Sequence, residues 1–274
     1  MNLLSVPVLV AAAVLASPAL WQAVTGTMPF DVAVQRYLVV VVVTWLALSF
    51  VAALVLPDPG YLDAVREVTR RHGTLLIIDE THTFSAGPGG MTQRDRLSPD
   101  VVVIGKAIGG GIPTGAYGLS AEWAARALCR TDLDRVDMGG VGGTRAGNPL
   151  SVAAMRATLE HVLTDDAFTG MIDTATVFVD GVQSLIDEHH LPWSINQLGA
   201  RGEYRFATPY PRNGTQAAAS ADGELEDYLH LYLVNRGILL TPFHNMALMA
   251  PTTTVADVQR HHEVFAEALG TLPR

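Results

Sequence analysis

Lys106 is the only lysine among the 274 residues, and seventeen arginines supply every other long basic side chain. Arginine stays protonated in proteins and cannot form a Schiff base, whereas a desolvated lysine can lose its proton and bond to a carbonyl carbon. A genome that favours arginine would also leave one lysine by chance, so the neighbours must decide. Lys106 opens the run Lys106-Ala107-Ile108-Gly109-Gly110-Gly111 and lies 27 residues after Asp79. Asp79-Glu80 closes an apolar run and leads into Thr81-His82-Thr83. An amine and a carboxylate so placed suit chemistry on a carbonyl or an amine. Asp79 could instead be a turn or cap residue, and His82 a plain polar loop residue.

Two short strands would have to position these groups. Leu75-Leu76-Ile77-Ile78 ends at Asp79, and Val101-Val102-Val103-Ile104 ends at Gly105-Lys106. Apolar runs of this length, bounded by turn residues, predict fully buried parallel strands, and α/β sheets bind ligands beyond the carboxyl ends of such strands. Neighbouring strands would deliver the carboxylate and the amine to one crevice. The order of the glycine run excludes a phosphate loop, because no Gly-Lys-Ser/Thr follows it, and it does not fit G-x-G-x-x-G. A Gly-x-Ser-x-Gly elbow is also absent. His189-His190 and His261-His262 lack a partner one turn away, so no metal site is expected.

Taken together, these segments resemble the class III, fold-type I aminotransferases that use pyridoxal 5'-phosphate, in particular the glutamate-1-semialdehyde 2,1-aminomutase-like branch. The likeness rests on Leu75 to Thr83, on Gly105 to Gly118 and on Gly142-Gly143-Thr144-Arg145-Ala146-Gly147-Asn148-Pro149. It continues through Arg201 to Phe206 and Asn235 to Pro242, and so covers residues 56–274. The resemblance implies that Lys106 forms the Schiff base with the cofactor and that Asp79 pairs with its pyridine nitrogen, keeping the ring an electron sink. It further implies that Thr81 backs the ring and His82 lies near the phenolic oxygen. Thr144 would bind the phosphate from the neighbouring subunit of a homodimer. The implied substrate is a small amine or amino acid. Arg201 and Arg205 could each meet a carboxylate, but a structural or solvated role is expected for both.

Composition narrows the rest. The formal charge of −9 and an isoelectric point near 5.4 argue against nucleic acid. One cysteine, Cys129, excludes an intrachain disulfide and fits a reducing compartment. Mean hydropathy of +0.26 is high for a soluble enzyme, and the excess lies at the front. Leu38 to Leu56 carries no charge; as a helix it would span about 28 Å, close to the roughly 30 Å of a bilayer's hydrocarbon core. Residues 3–20 are likewise uncharged. A transmembrane hairpin is expected from 3–20 and 38–56, with Arg66, Arg70 and Arg71 placing the C-terminal region in the cytoplasm.

The expected architecture is thus α/β: a transmembrane hairpin (1–57), a partial fold-type I large domain (58–163) and a small C-terminal α/β domain (164–274). Asp58-Pro59 predicts the cap and first residue of a helix that Gly73 ends, and Asn148-Pro149 opens another. Further helices are predicted over Ala167 to Glu188, Glu224 to Asn235 and Val255 to Leu269, and strands at Tyr204 to Ala207 and Ile238 to Leu240. Asn213-Gly214 predicts a turn and Gln216 to Ser220 a loop. Complete members of the family carry, before the first of these helices, a phosphate-holding loop and an aromatic residue stacked on the cofactor. Here residues 1–55 occupy that place and show neither. Weak cofactor binding, and an exposed sheet edge and apolar face, are the expected consequences. The alternative function is a membrane-anchored, inactive aminotransferase fragment.

Overall fold

The computed structural model describes residues 56–129, 146–241 and 245–272. The predicted hairpin falls outside these residues except at its last positions. Among the described residues no helix is long and apolar enough to cross a membrane.

The first helix, α1 (Tyr61–Arg71), begins two residues later than Asp58-Pro59 predicts. Gly60 takes φ of 82° and stands at the N-cap without a side-chain hydrogen bond, while Asp58 pairs with Arg212 instead. Gly73, at φ of 63°, ends the helix as expected. Strands β1 (Ile77–Asp79), β2 (Val101–Gly105) and β3 (Gly115–Leu119) form one sheet in the order β1-β2-β3. β1 and β2 run parallel, with Asp79 opposite Val103. β3 returns antiparallel, with Leu119 opposite Val101 and Tyr117 opposite Val103.

This register corrects the expectation of a fully buried first strand. Alternation puts Ile77, Val101 and Leu119 in one row and Asp79, Val103 and Tyr117 in the next, all on one face. Ile77 is 57%, Tyr117 48% and Leu119 39% exposed. Nothing among the described residues pairs with the outer edge of β1. The open edge and apolar face expected above are therefore present.

Between β1 and β2 lie a 3-10 turn (Phe84–Ala86) and the short α2 (Gly90–Arg94). A second 3-10 turn, Lys106–Gly109, leads from β2 toward β3, and α3 (Ala121–Leu128) follows. Helix α4 (Pro149–His161) starts where Asn148-Pro149 predicts, because Asn148 Oδ1 accepts the Leu150 and Ser151 amides at 3.1 and 3.2 Å.

The remaining chain builds a second sheet. Helix α5 (Asp165–Glu188) is capped by Thr164 and precedes β4 (Ser194–Leu198) and β5 (Arg201–Arg205). Then come α6 (Gly214–Ala219), α7 (Gly223–Val234), β6 (Met246–Leu248) and α8 (Val255–Gly270). The strands pair antiparallel in the order β4-β5-β6. Phe168, Met171, Ala175, Phe178, Val182 and Ile186 recur every three or four residues of α5 and are buried with Phe265 and Leu269 of α8 and Tyr204 of β5. That burial is what holds the second sheet together.

Three local expectations fail here. β5 begins at Arg201 rather than Tyr204, because Arg201, Glu203 and Arg205 are buried charges paired with one another. Ile238 to Leu240 forms no strand; a single bridge joins Thr241 to Met246, and β6 supplies the third strand. Gln216 to Ser220 is helical through Ala219, since Asn213 Oδ1 accepts the Gln216 amide at 2.9 Å and so caps α6. Arg201 and Arg205 are structural, as expected. His261 is buried against Phe178 and Phe265 with both ring nitrogens lacking a hydrogen-bond partner. Burial, with His262 adding to it, pushes its imidazole down to about 3, so it sits neutral.

Candidate active site

The predicted residues converge at the carboxyl ends of β1 and β2. Asp79 is the last residue of β1 and shares the open face with Val103. Its Oδ1 accepts the Thr81 amide at 2.8 Å, and this is its one hydrogen bond among the described residues. Asp79 is exposed, and its second carboxylate oxygen has no hydrogen bond among the described residues. Lys106 follows Gly105 directly at the end of β2, exposed, at φ of 51°. A non-glycine residue in that region costs of order 1 kcal/mol or more, and such residues cluster at functional sites. Here the turn is over-determined from several sides. An ideal Cβ at Gly109 would meet Thr114 Oγ1 at 1.8 Å, and one at Gly110 would meet Thr158 Oγ1 of α4 at 2.6 Å. Ser151 Oγ donates to Pro113 O at 3.2 Å, so α4 also holds the far end of the glycine run. The glycines are there to let the chain pass.

Thr81 lies beside Gly105, its Oγ1 3.9 Å from where a Cβ would stand. His82 reaches Lys106, with Nε2 and Nζ 2.5 Å apart. Thus Asp79, Thr81, His82 and Lys106 share one site. Thr144 falls at residues outside the described ones, and its predicted role gains no geometry.

Glu80 has a role that spacing alone did not reveal. It is 1% exposed and accepts the Met91 amide at 3.1 Å, and the Thr92 amide and hydroxyl each at 2.5 Å, as well as the Thr83 hydroxyl. A buried carboxylate so fully bonded ties the loop that carries Thr81 and His82 down onto α2. The available signal is alternation: with Asp79 facing one side of β1, the next carboxylate must face the other. A second tie comes from the other sheet. The Ala200 amide donates to Ser85 O at 2.9 Å, and Gly199, at φ of 55°, lets the backbones close, because a Cβ there would stand 2.2 Å from Ser85 O. Phe84 meets Phe168 of α5 edge-on at 5.7 Å. At the opposite end of the strands, Asp100 accepts two bonds from Arg66, at 2.6 and 3.0 Å, and one from the Leu76 amide at 2.8 Å. The Arg66 bonds first, then the Leu76 amide, pull the Asp100 carboxyl down to about 2.

The arrangement offers a nucleophilic amine, an adjacent imidazole and an outward carboxylate on the open face of a parallel strand pair. A sequence profile described as aminotransferase class III matches residues 52–269. A glutamate-1-semialdehyde 2,1-aminomutase from Desulfitobacterium hafniense (strain Y51) is 33% identical over 221 residues, covering 80% of this chain and 50% of that protein. Its counterpart from Chloroflexus aggregans is 34% identical over 225 residues, with the same coverage. Among solved structures, a glutamate-1-semialdehyde aminomutase from Pseudomonas aeruginosa PAO1 in complex with PMP is 46% identical, with a TM-score of 0.76 over 79% of this chain and 49% of that one. The chain spans about half the length of the curated relatives it matches. With that profile match spanning most of its length, the chain belongs to the class III aminotransferases.

Proposed function

We propose that this chain carries the amine-and-carboxylate side of a pyridoxal 5'-phosphate site for amino-group transfer on a small amine or amino-acid substrate, as an aminotransferase or an aminomutase. The supporting observation is the placement of the sole lysine and Asp79 at the ends of two parallel strands, both open to solvent. These groups fit the cofactor by donor chemistry: an amine for its aldehyde, and a carboxylate with one uncommitted oxygen for its pyridine nitrogen. Thr81 and His82 flank them, and Thr144 is assigned to the phosphate by family resemblance. When bound, the cofactor supplies an electron sink for the pair left on carbon when a proton departs.

The chain's own residues then have distinct tasks. Asp79 holds a proton at the ring nitrogen, Thr81 supports the ring, and Lys106 Nζ takes the proton from the substrate carbon and returns it. A second copy of the chain is the partner assigned here, because Thr144 would serve the neighbouring subunit; a strictly monomeric sedimentation profile at micromolar concentration would remove it. The site itself is tested by incubating the full-length protein with pyridoxal phosphate, reducing with borohydride and mapping peptides. Cofactor mass on the Lys106 peptide, lost in Lys106→Ala, is the expected result. Folded wild-type protein that retains none would sink the proposal.

A further inference from the structure

We infer that His82 is the proton partner of Lys106: the imidazole takes protons from the amine as it bonds a carbonyl carbon and passes them to the departing oxygen. This rests on the reading of Lys106 as the site's amine. The geometry is direct, with Nζ and Nε2 only 2.5 Å apart. At that separation one nitrogen must donate and the other accept, since two N–H groups pointing at each other would repel. Among the described residues neither nearby carboxylate is hydrogen-bonded to Nζ. Asp79 is bonded to the Thr81 amide, and Glu80 is buried and bonded to Thr83, Met91 and Thr92. Among the described residues His82 is therefore the one base in hydrogen-bond contact with Nζ.

The loop is built to hold it there. Asp79 holds the Thr81 amide and Glu80 the Thr83 hydroxyl, on either side of His82, and Ser85 is fixed by the Ala200 amide. Lys106 in turn is held in the left-handed region by the turn that begins with it. Both backbones are thus fixed where the two side chains meet.

The proton balance is explicit. A lysine ammonium has three N–H protons; condensing with a carbonyl forms the C–N double bond, breaks both bonds from carbon to oxygen, and releases water. Two of the three protons must end on that oxygen and one stays on nitrogen, so no proton is gained or lost overall. His82 carries the two in turn, accepting each at Nε2 and delivering it to the oxygen. It acts through Lys106 and is a positioning and relay residue.

Because the chain has one lysine, the test needs no cofactor. Reductive methylation of the full-length protein with formaldehyde and cyanoborohydride, followed by peptide mapping, reads Lys106 apart from the N-terminal amine. His82→Gln keeps a hydrogen-bond acceptor but cannot relay a proton, and should slow methylation at Lys106 by about tenfold or more at neutral pH. His82→Ala should be equally slow, and free imidazole should restore its rate; circular dichroism checks that both variants fold. Methylation of the Gln variant at the wild-type rate, or an Ala variant indifferent to imidazole, would overturn the inference. Failure of cofactor trapping with the His82 effect intact would count against the proposed function alone.

Discussion

At the scale of single residues, Asp100 sets how the site's support responds to acid. Its carboxyl sits at about 2 in the folded protein because the Arg66 guanidinium and then the Leu76 amide hydrogen-bond to it. The folded value lies below the unfolded one of about 3.9, so the stabilisation is fully present above that pH and is lost as pH falls through about 2. Asp100→Asn should lower the melting temperature at pH 7, and the gap to wild type should narrow between about pH 4 and pH 2 in thermal denaturation scans. Asp100 drew no notice in the sequence, since one aspartate before a strand looks like any other. Lys106 and Asp79 stood out in the sequence because chemistry restricts the residue types that can do the work proposed for them. The contact of His82 with Lys106 was not, because residues 24 apart in the chain meet only once strand pairing and turn geometry are known. Glu80 was read as one half of an acidic pair, and its burial depends on partners near Met91 that spacing does not announce.

At the scale of elements, the buried Arg201-Glu203-Arg205 row is the test of β5. Residues two apart lie on one face of a strand, so Glu203, fully buried, accepts from Arg201 at 2.6 Å and also from Arg205. Removing the central carboxylate strands two buried guanidinium groups, and Glu203→Ala should cost about 3–5 kcal/mol in urea denaturation. Replacing all three by apolar residues of similar volume should cost less than that single change. Loss of under about 1 kcal/mol in Glu203→Ala would mean that the row is not what holds β5 in place. The same row explains what the sequence concealed. Helices were legible because caps and a period near 3.6 are local signals, as Asn148, Thr164 and Thr254 show. β5 was displaced by three residues because its buried charges break apolar alternation, and β6, only three residues long, is too short for any period. Gln216 to Ser220 was mistaken for a loop because an asparagine that caps a helix and one that makes a turn look alike before the next turn is built.

At the scale of the whole molecule, the open face of the first sheet is the candidate surface for association. Ile77 and Leu119 lie in one cross-sheet row, both exposed. Exposed apolar side chains aligned in this way mark a contact site or an aggregation liability. Ile77→Glu with Leu119→Glu should shift sedimentation velocity profiles toward smaller species while far-ultraviolet circular dichroism stays unchanged. Unaltered profiles would show that association runs through another surface. The contact of Gly199 and Ala200 with Ser85 has a different consequence. It joins the loop carrying His82 to the second sheet by backbone alone, with no side chain whose rotation could release it. A displacement of the loop backbone that carries His82 away must therefore also break the bond between Ala200 and Ser85 at the tip of the second sheet. Backbone openings of that kind are rare excursions in a well-packed region, so the loop's position draws on the stability of the second sheet.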